Sequence, residues 1–193
     1  MAYHIYTTPA LVCGSLQRNG ADKTYQLYTR DLGMLYATAR SVREERSRQR
    51  YALQDMAEIR VSLVCGRAGW RVGSVVDVSH FLFMANDRGT RIAIVELFRT
   101  LRRFISGEAP NPELYDLAIE TLHYLQELNG ADLEKTVLCT QYRILYELGY
   151  VAPTDQERTI LDQPIGNLTS SVPETVLDSI RTSITTATTV SHL

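Results

Sequence analysis

The sequence is poor in cysteine and contains no long apolar run. Its three cysteines, Cys13, Cys65 and Cys139, are widely separated, and no two have the Cys-x-x-Cys spacing of a zinc site. We therefore expect small buried thiols in a reducing compartment and no bound metal. The longest apolar run is FLFMA at positions 81–85, far short of the roughly 20 residues that span a bilayer. The first residues also lack the basic and apolar regions of a secretion signal, which predicts a cytoplasmic protein.

Signatures of enzymatic chemistry are missing as well. The four histidines, His4, His80, His123 and His192, have no partner at a recognisable catalytic or metal-ligand spacing. The sequence has no phosphate-binding glycine loop, no nucleophile elbow and no paired-carboxylate signature. We therefore expect a protein without enzymatic activity, without catalytic residues and without a cofactor.

Lysine is also scarce, since only two of the 20 basic residues are lysine. Arginine has a planar guanidinium that binds phosphate and stacks on bases, so this bias favours nucleic-acid contact. The net charge is −2, but it is unevenly distributed: residues 1–80 carry eleven basic and seven acidic side chains, whereas residues 81–193 carry nine and fifteen. This asymmetry indicates that the first part of the chain meets a polyanion.

The first 80 residues have the two-residue period of β-strands. Apolar and polar residues alternate on both sides of a turn at 66–69, which predicts a hairpin with Trp70 and Val76 on one face. A second hairpin turns at Gly33, and Pro9 marks the beginning or the edge of the first strand. Five strands in 80 residues predict a small closed barrel of the OB-fold type, which commonly binds single strands of nucleic acid. The predicted strands are 5–17, 24–29, 34–41, 59–65 and 70–78.

After residue 86 the period changes from two to 3.6. Apolar side chains recur at three- and four-residue intervals in three segments between residues 91 and 149, which predicts three amphipathic helices. A fourth segment after Pro173 has the same spacing, but its many threonines are poor helix formers, so it must rely on packing. We therefore predict an α+β protein with a five-stranded OB-fold barrel over residues 1–80 and an all-α helical bundle over residues 87–193.

The predicted helix ends follow the usual capping preferences. Asn111 is an N-cap residue with Pro112 at the first helical position, and Gly130 is expected to end that helix. Asp132 is the predicted cap of the next helix, and Gly149 is its expected terminator.

Positive charge is concentrated between the third and fourth predicted strands. In TARSVREERSRQRY, residues 38–51, five arginines lie within eleven positions, which we call the basic segment (residues 40–50). Both a helical and an extended conformation place four of them on one side, so either produces a basic ridge beside the barrel. The alternative is a solvated loop partly neutralised by Glu44 and Glu45; we favour the nucleic-acid interface. The predicted nucleic-acid contacts are Arg18, Lys23, Arg40, Arg43, Arg46, Arg48 and Arg50.

Four aromatic residues of the predicted barrel are candidates for stacking on bases. In proteins that bind single strands, stacking contributes about 1–3 kcal/mol per base. For the only tryptophan, strand alternation favours packing in the core instead. The four residues are Tyr25, Tyr28, Tyr36 and Trp70.

The order of short motifs resembles RecO, a family of bacterial recombination mediators. Residues 27–75 contain a strand, an acid-containing turn with glycine, then Ala-x-x-x-Arg, basic residues, Ser, and Leu-Gln before the next strand. Residues 94–125 and 142–150 are similar to the helical domain of that family, with a leucine-rich helix, a Pro-x-x-Glu-Leu-like loop and a helix that ends in Leu-Gly-Tyr. The residues that match the barrel pattern are Ala37, Arg40, Arg43, Ser47, Leu53 and Gln54.

The resemblance implies a non-enzymatic, nucleoid-associated DNA repair protein. Such a protein binds single- and double-stranded DNA, anneals complementary strands and helps to load recombinase onto strands coated by single-strand-binding protein. It also implies that the barrel meets a RecR-like partner and that the helical domain receives the tail of single-strand-binding protein. Candidate contacts for that tail are Arg99, Arg102 and Arg103, for which a solvated helix face is the alternative.

One departure from the family limits what the resemblance implies about metal. Many RecO proteins carry a four-cysteine zinc module after the Leu-Gly-Tyr element, whereas no cysteine follows Tyr150 in this sequence. We therefore expect a divergent, short member without that module. The alternative from another functional class is an OB-fold RNA-binding or ribosome-associated module with a helical interaction domain.

Overall fold

The structure, a computed structural model, describes residues 4–17, 20–44, 47, 49–168 and 172–190. Contacts within the chain define two compact units. The first comprises Met1–Met84 and Ile105–Tyr115, and the second comprises Ala85–Phe104 and Asp116–Leu193. Residues 105–115 therefore belong to the same unit as the N-terminal part of the chain.

The first unit contains five strands. They are β1 (Ile5–Gln17), β2 (Lys23–Thr29), β3 (Gly33–Ala39), β4 (Ala57–Gly66) and β5 (Gly69–His80). The strands close into a barrel in the order β1-β2-β3-β5-β4, with antiparallel pairs throughout except for the parallel pair of β3 with β5. The predicted OB-fold barrel followed by helices is thus confirmed.

Alternate residues of the strands fill the barrel, as a two-residue period requires. Val42 and Leu53, from the connection between β3 and β4, join this core and are almost completely buried. Full burial of such a side chain contributes about 1.5–3 kcal/mol, so both ends of the basic segment are anchored to the barrel. The core residues are Ala10, Val12, Tyr25, Leu27, Leu35, Ala37, Ala39, Val42, Leu53, Ala57, Ile59, Val61 and Leu63.

Strand β5 departs from the predicted alternation. Its register with β4 shifts at Gly73, so Val75 packs against the core while Val76 is 52% exposed. A second irregularity surrounds Asp77, whose φ is 51°. Because each bulge adds a residue to one strand, it reverses which side chains face inward. The prediction that Val76 shares a face with Trp70 is therefore wrong.

Seven helices are present in the described part of the chain. The helices predicted between residues 91 and 149 are confirmed, and so is a helix after Pro173. A 3₁₀ turn at Ile165–Asn167 precedes that last helix. The helices are α1 (Gln49–Ala52), α2 (Phe81–Met84), α3 (Arg88–Phe104), α4 (Pro112–Tyr124), α5 (Ala131–Glu147), α6 (Asp155–Leu161) and α7 (Glu174–Val190).

Two of the predicted helix boundaries differ from the structure. The Asn111 carboxamide oxygen accepts a hydrogen bond from the Leu114 backbone N–H at 3.0 Å, which confirms the predicted cap of α4. This helix ends at Tyr124, before Gly130. The N-cap residue of α5 is Gly130 itself, which makes no side-chain cap, and Asp132 lies inside the first turn. Its carboxylate still faces the positive end of the helix dipole there.

Helix α6 was not predicted, although the sequence contains the motif that marks its start. Thr154 and Glu157 form a capping box, in which the Thr154 side chain accepts from the Glu157 N–H and the Glu157 carboxylate accepts from the Thr154 N–H. The spacing Thr-x-x-Glu is the sequence signature of this motif.

Helix α7 forms despite its threonines. Four of their hydroxyls donate to the backbone carbonyl four residues earlier, which satisfies the hydroxyls but adds no helix stability. Leu177 and Ile180 are fully buried in a cluster with Tyr142 of α5. The packing of these side chains thus stabilises α7, because its threonine-rich sequence has a low helix propensity.

The cysteines only partly follow the prediction. Cys13 and Cys139 are buried, but Cys65, near the end of β4, is exposed. The described residues contain no group of three or more His, Cys, Asp or Glu side chains suited to a metal ion. His192 lies outside the described residues. Among those that are described, no helix combines the length and apolar character that crossing a membrane requires.

Candidate nucleic-acid interface

The basic segment follows β3 and begins with a chain of turns. Ser41 has a φ of 50°, and its backbone N–H donates to the Asp22 carboxylate at 2.9 Å. The backbone N–H of Arg43 donates to the Ala21 carbonyl at 3.2 Å, and its guanidinium donates to the Gly20 carbonyl at 3.0 Å. The start of the segment is therefore fixed to the turn that connects β1 with β2.

The other end of the segment is fixed by α1. The Gln49 carboxamide donates to the Gly73 carbonyl of β5 at 2.9 Å, and Leu53 is inserted in the barrel core. The segment is thus neither the single helix nor the extended strand that the sequence analysis considered. Its first turns and α1 hold the described arginines by backbone and core contacts.

These contacts bring three cations to one side of the barrel. Lys23, Arg43 and Arg50 line a cavity of about 550 Å³, which we call the first cavity. Val42 and Leu53 contribute apolar surface, while Asp55 adds one carboxylate. Among the described residues, three cations and one anion line this site, which gives it a positive charge. The described lining residues are Lys23, Tyr25, Val42, Arg43, Arg50, Leu53, Gln54 and Asp55.

Tyr25 belongs to this cavity but is a core residue rather than a stacking platform. It is almost completely buried, and the Lys23 ammonium lies 5.2 Å from the centre of its ring. Desolvation by burial, followed by the negative charge of Asp55, raises the pKa of Tyr25 to about 12. The hydroxyl therefore keeps its proton at neutral pH and adds no negative charge to the cavity.

The other predicted stacking residues have different surroundings. Tyr28 is fully buried against Tyr115, with ring centroids 5.4 Å apart, so Tyr25 and Tyr28 are unavailable to bases. Tyr36 is 53% exposed. Trp70 packs against the barrel core, as strand alternation favoured, and its indole N–H donates to the Glu108 carboxylate at 2.9 Å.

The structure separates the predicted nucleic-acid contacts into groups. Lys23, Arg43 and Arg50 meet at the first cavity. Arg40 is exposed and lies at another cavity, beside Arg71, a residue that the sequence analysis did not select. Arg71 carried no signal of its own, because a charged residue in an alternating strand is ordinarily a solvated one. The predicted contacts Arg18, Arg46 and Arg48 lie outside the described residues.

The three arginines predicted to bind a partner lie on the last turns of α3, and two of them have contacts within the second unit. Arg99 forms an ion pair with Glu96, three residues earlier on the same helix. Arg103 donates to the Thr188 carbonyl of α7 and lies 5.6 Å from the ring of Phe104. Arg102 is exposed. Arg103 therefore has a structural contact, and the arginines do not act as one uniform basic face.

An apolar cavity of about 430 Å³ also lies in the second unit, between α3 and α5. Ile92, Leu133 and Val137 form its apolar wall, and Glu96 and Glu134 stand at its edge. Each of these carboxylates is paired with an arginine, Glu96 with Arg99 and Glu134 with Arg181 at 2.9 Å.

Comparison with known proteins extends the resemblance along most of the chain. No protein-family model matches it. DNA repair protein RecO of Dehalococcoides mccartyi strain CBDB1 is 26% identical over 147 residues, which are 76% of this chain and 57% of that protein. RecO of Desulfitobacterium hafniense strain DCB-2 is 26% identical over 76% of this chain and 52% of its own length. RecO of Pelotomaculum thermopropionicum is 28% identical over 76% and 56%.

The chain thus spans a little more than half the length of the relatives that it matches. The similarity recurs in several bacteria and agrees with the order of motifs in the barrel and in the helices. Together with the observed OB-fold and helices, it confirms the predicted resemblance of this chain to RecO.

Proposed function

We propose that this chain is a DNA repair protein of the RecO type that binds nucleic acid through the first cavity and the basic segment. The observation that carries the proposal is the convergence of Lys23, Arg43 and Arg50 on one open cavity of an OB-fold barrel. OB-folds bind single strands by combining a positive groove with surfaces on which sugars and bases pack.

The chemistry of the cavity favours contact with the backbone over the reading of bases. Lys23 and the two arginines can neutralise phosphates, and the aromatic ring that lines the cavity, Tyr25, is buried in the core. Phosphate contacts position a strand without reading its sequence. We therefore propose binding that depends strongly on salt and weakly on sequence, for both single- and double-stranded DNA.

The finer steps of the proposed function rest on the resemblance to RecO. Neutralised phosphates repel each other less, so the same cations support annealing of complementary strands. Recombinase loading, a RecR-like partner at the barrel and the tail of single-strand-binding protein at the helical unit complete the proposal. For that tail, Arg99, Arg102 and Arg103 are the proposed contacts, although Arg99 is paired with Glu96 and Arg103 donates to the Thr188 carbonyl.

The experiment that tests this function measures how affinity changes with salt. Fluorescence anisotropy of a labelled oligothymidylate gives the affinity at several salt concentrations, and each phosphate neutralised on a single strand adds about 0.7 to the logarithmic slope. Replacing Lys23, Arg43 and Arg50 by glutamine should lower the slope by about 2. The matched control replaces Arg67 and Arg91, two exposed arginines outside the cavity, and should leave the slope nearly unchanged.

The same titration with structured RNA at equal salt tests the alternative class. A RecO-type protein should prefer the DNA strand or bind both similarly, whereas an RNA-binding module should bind the RNA more tightly. Folded protein without measurable affinity for DNA, or a triple variant with the slope of the native chain, would overturn the proposed function.

A further inference from the structure

A second cavity also borders α1. It has a volume of about 370 Å³, and the residues that line it differ from those of the first cavity. Gln49 and Arg50 are neighbours in the chain, yet Gln49 lines the second cavity and Arg50 the first. The lining residues of the second cavity are Arg40, Gln49, Val64, Arg71, Val72 and Gly73.

The topology of the barrel explains why this cavity exists. Strands β3 and β5 pair through only two residue pairs, Ala37 with Trp70 and Thr38 with Arg71. The two strands then diverge, and Arg40 follows directly after β3, so both arginines stand where the pairing ends. Gln49 closes the gap with its hydrogen bond to the Gly73 carbonyl. Gly73 is also the residue at which the register of β5 with β4 shifts.

The lining of this cavity has the chemistry of a phosphate site. Arg40 and Arg71 supply two guanidinium groups and Gln49 supplies a carboxamide, and the described lining residues include no Asp or Glu. Guanidinium groups bind phosphate oxygens through two parallel hydrogen bonds. Val64 and Val72 add apolar surface, which suits a sugar better than a free ion. The first cavity, in contrast, includes the carboxylate of Asp55.

We propose that Arg40, Arg71 and Gln49 form a second binding site for the phosphodiester backbone of nucleic acid, separate from the first cavity. This inference rests on the proposed function, because it assumes that the barrel binds a nucleic-acid strand. It adds to the proposed interface Arg71 of β5, which lies outside the basic segment. The strand at this site is either the continuation of the one in the first cavity or a second strand.

The test compares glutamine variants of the two arginines with a matched control. Glutamine removes the charge and keeps a hydrogen-bond donor, so Arg40→Gln and Arg71→Gln change the electrostatics with little loss of packing. The control is Arg67→Gln, because Arg67 is exposed in the turn between β4 and β5 and lines neither cavity. Circular dichroism and the melting temperature of each variant show whether it is folded.

The expected result is a weaker salt dependence in the Arg40 and Arg71 variants, largest in the double variant, and no change in the control. With an oligothymidylate of about 16 nucleotides, near the upper site size of one OB-fold, the logarithmic salt slope of Arg40→Gln/Arg71→Gln should fall by about 1.4, which corresponds to two phosphates. Each single variant should lose about half of this value. The Arg67→Gln control should retain the native slope.

The number of strands bound per protein then identifies the source of the phosphates. Native mass spectrometry with the same oligothymidylate should give one strand per chain if a single strand runs through both cavities. It should give two strands per chain if the cavities bind separate strands, and one in the double variant. Two strands per chain support the second site directly, and one strand per chain supports it when the double variant also has the lowered slope; one strand per chain with an unchanged slope refutes it.

Failure of this inference differs from failure of the proposed function. If a folded Arg40→Gln/Arg71→Gln protein keeps the native slope and strand count, while replacement of Lys23, Arg43 and Arg50 lowers the slope, the second site is refuted and the first stands. If the native protein binds no oligothymidylate, both proposals fail.

Discussion

The carboxylate of Asp55 gives a sharp test of the first cavity, because among the described lining residues it is the one acid beside three cations. Replacing Asp55 by asparagine removes a negative charge from a site proposed to hold phosphate. The change is nearly isosteric, and it preserves the side-chain oxygen that accepts a hydrogen bond from the Ser15 hydroxyl at 3.3 Å. We therefore expect Asp55→Asn to strengthen binding of single-stranded nucleic acid.

The expected gain follows from Coulomb's law in a solvated site. Asp55 is exposed, so its repulsion of a bound phosphate is screened and amounts to about 0.5–1 kcal/mol. The dissociation constant at low salt should therefore fall by about two- to fivefold. Because the Debye length is about 10 Å at 0.1 M salt and about 3 Å at 1 M, the gain should shrink as salt is added.

Fluorescence anisotropy of a labelled oligothymidylate at two salt concentrations measures this gain. Glu127→Gln is the matched control, since Glu127 is an exposed acid of the second unit and should give the general effect of one lost negative charge. Asp55→Asn should also lower the pKa of Tyr25 toward, but not to, its ordinary value, because desolvation by burial remains. Weaker binding by Asp55→Asn, or an equal gain in the control, would show that the phosphate does not occupy the first cavity.

Three further predictions concern stability and metal content. Gly33 has a φ of 75°, and a Cβ there would lie 2.6 Å from the Ala109 backbone nitrogen; Gly33→Ala should therefore lower the free energy of unfolding by more than the roughly 1–2 kcal/mol of the left-handed backbone alone. Gly20→Ala, with a φ of 79° and open space around the Cβ, should show only that smaller loss in denaturant unfolding. The buried Glu157 accepts four hydrogen bonds. Burial raises its pKa, but these bonds outweigh that effect and hold the pKa below its ordinary value of 4.5. The stability that its carboxylate provides should be present above about that pH and be lost as pH falls through the lowered pKa, so Glu157→Gln should lose about 1–3 kcal/mol at pH 7 and show less acid sensitivity in thermal melts. Finally, elemental analysis should find no stoichiometric zinc, and chelator should leave the melting temperature unchanged; one zinc per chain would contradict the reading of the three separated cysteines.

The parts of the fold that local periodicity determines could be predicted from the sequence. Strand β4 alternates, so Ile59, Val61 and Leu63 are buried as a two-residue period requires. Gly33 occupies the turn of its hairpin with a positive φ, and Asn111 caps α4. In each case the physical cause lies within a few residues of the feature, which is why sequence alone reveals it.

Features that depend on contacts between distant segments could not be predicted in this way. The bulges at Gly73 and Asp77 arise from the pairing of β4 with β5, and their positions are not evident from alternation. Arg40 and Arg71 line the same cavity because β3 and β5 pair between residues 33 positions apart, such as Thr38 and Arg71, which no local sequence pattern connects. Separate folding of residues 1–80 and 87–193 stays a prediction.

The anchoring of the basic segment explains how an acidic chain can present a phosphate-binding surface. A free arginine-rich loop would lose about 1–2 kcal/mol of backbone conformational entropy for every residue that binding orders. Here Val42 and Leu53 are buried in the barrel core, and the Arg43 guanidinium is bound to the Gly20 carbonyl. Folding therefore orders the backbone at Arg43 and Arg50 before any nucleic-acid strand binds. Folding thus bears much of the ordering cost, and the local cation excess in the cavity, rather than the net charge of −2, determines the attraction that a phosphate experiences there.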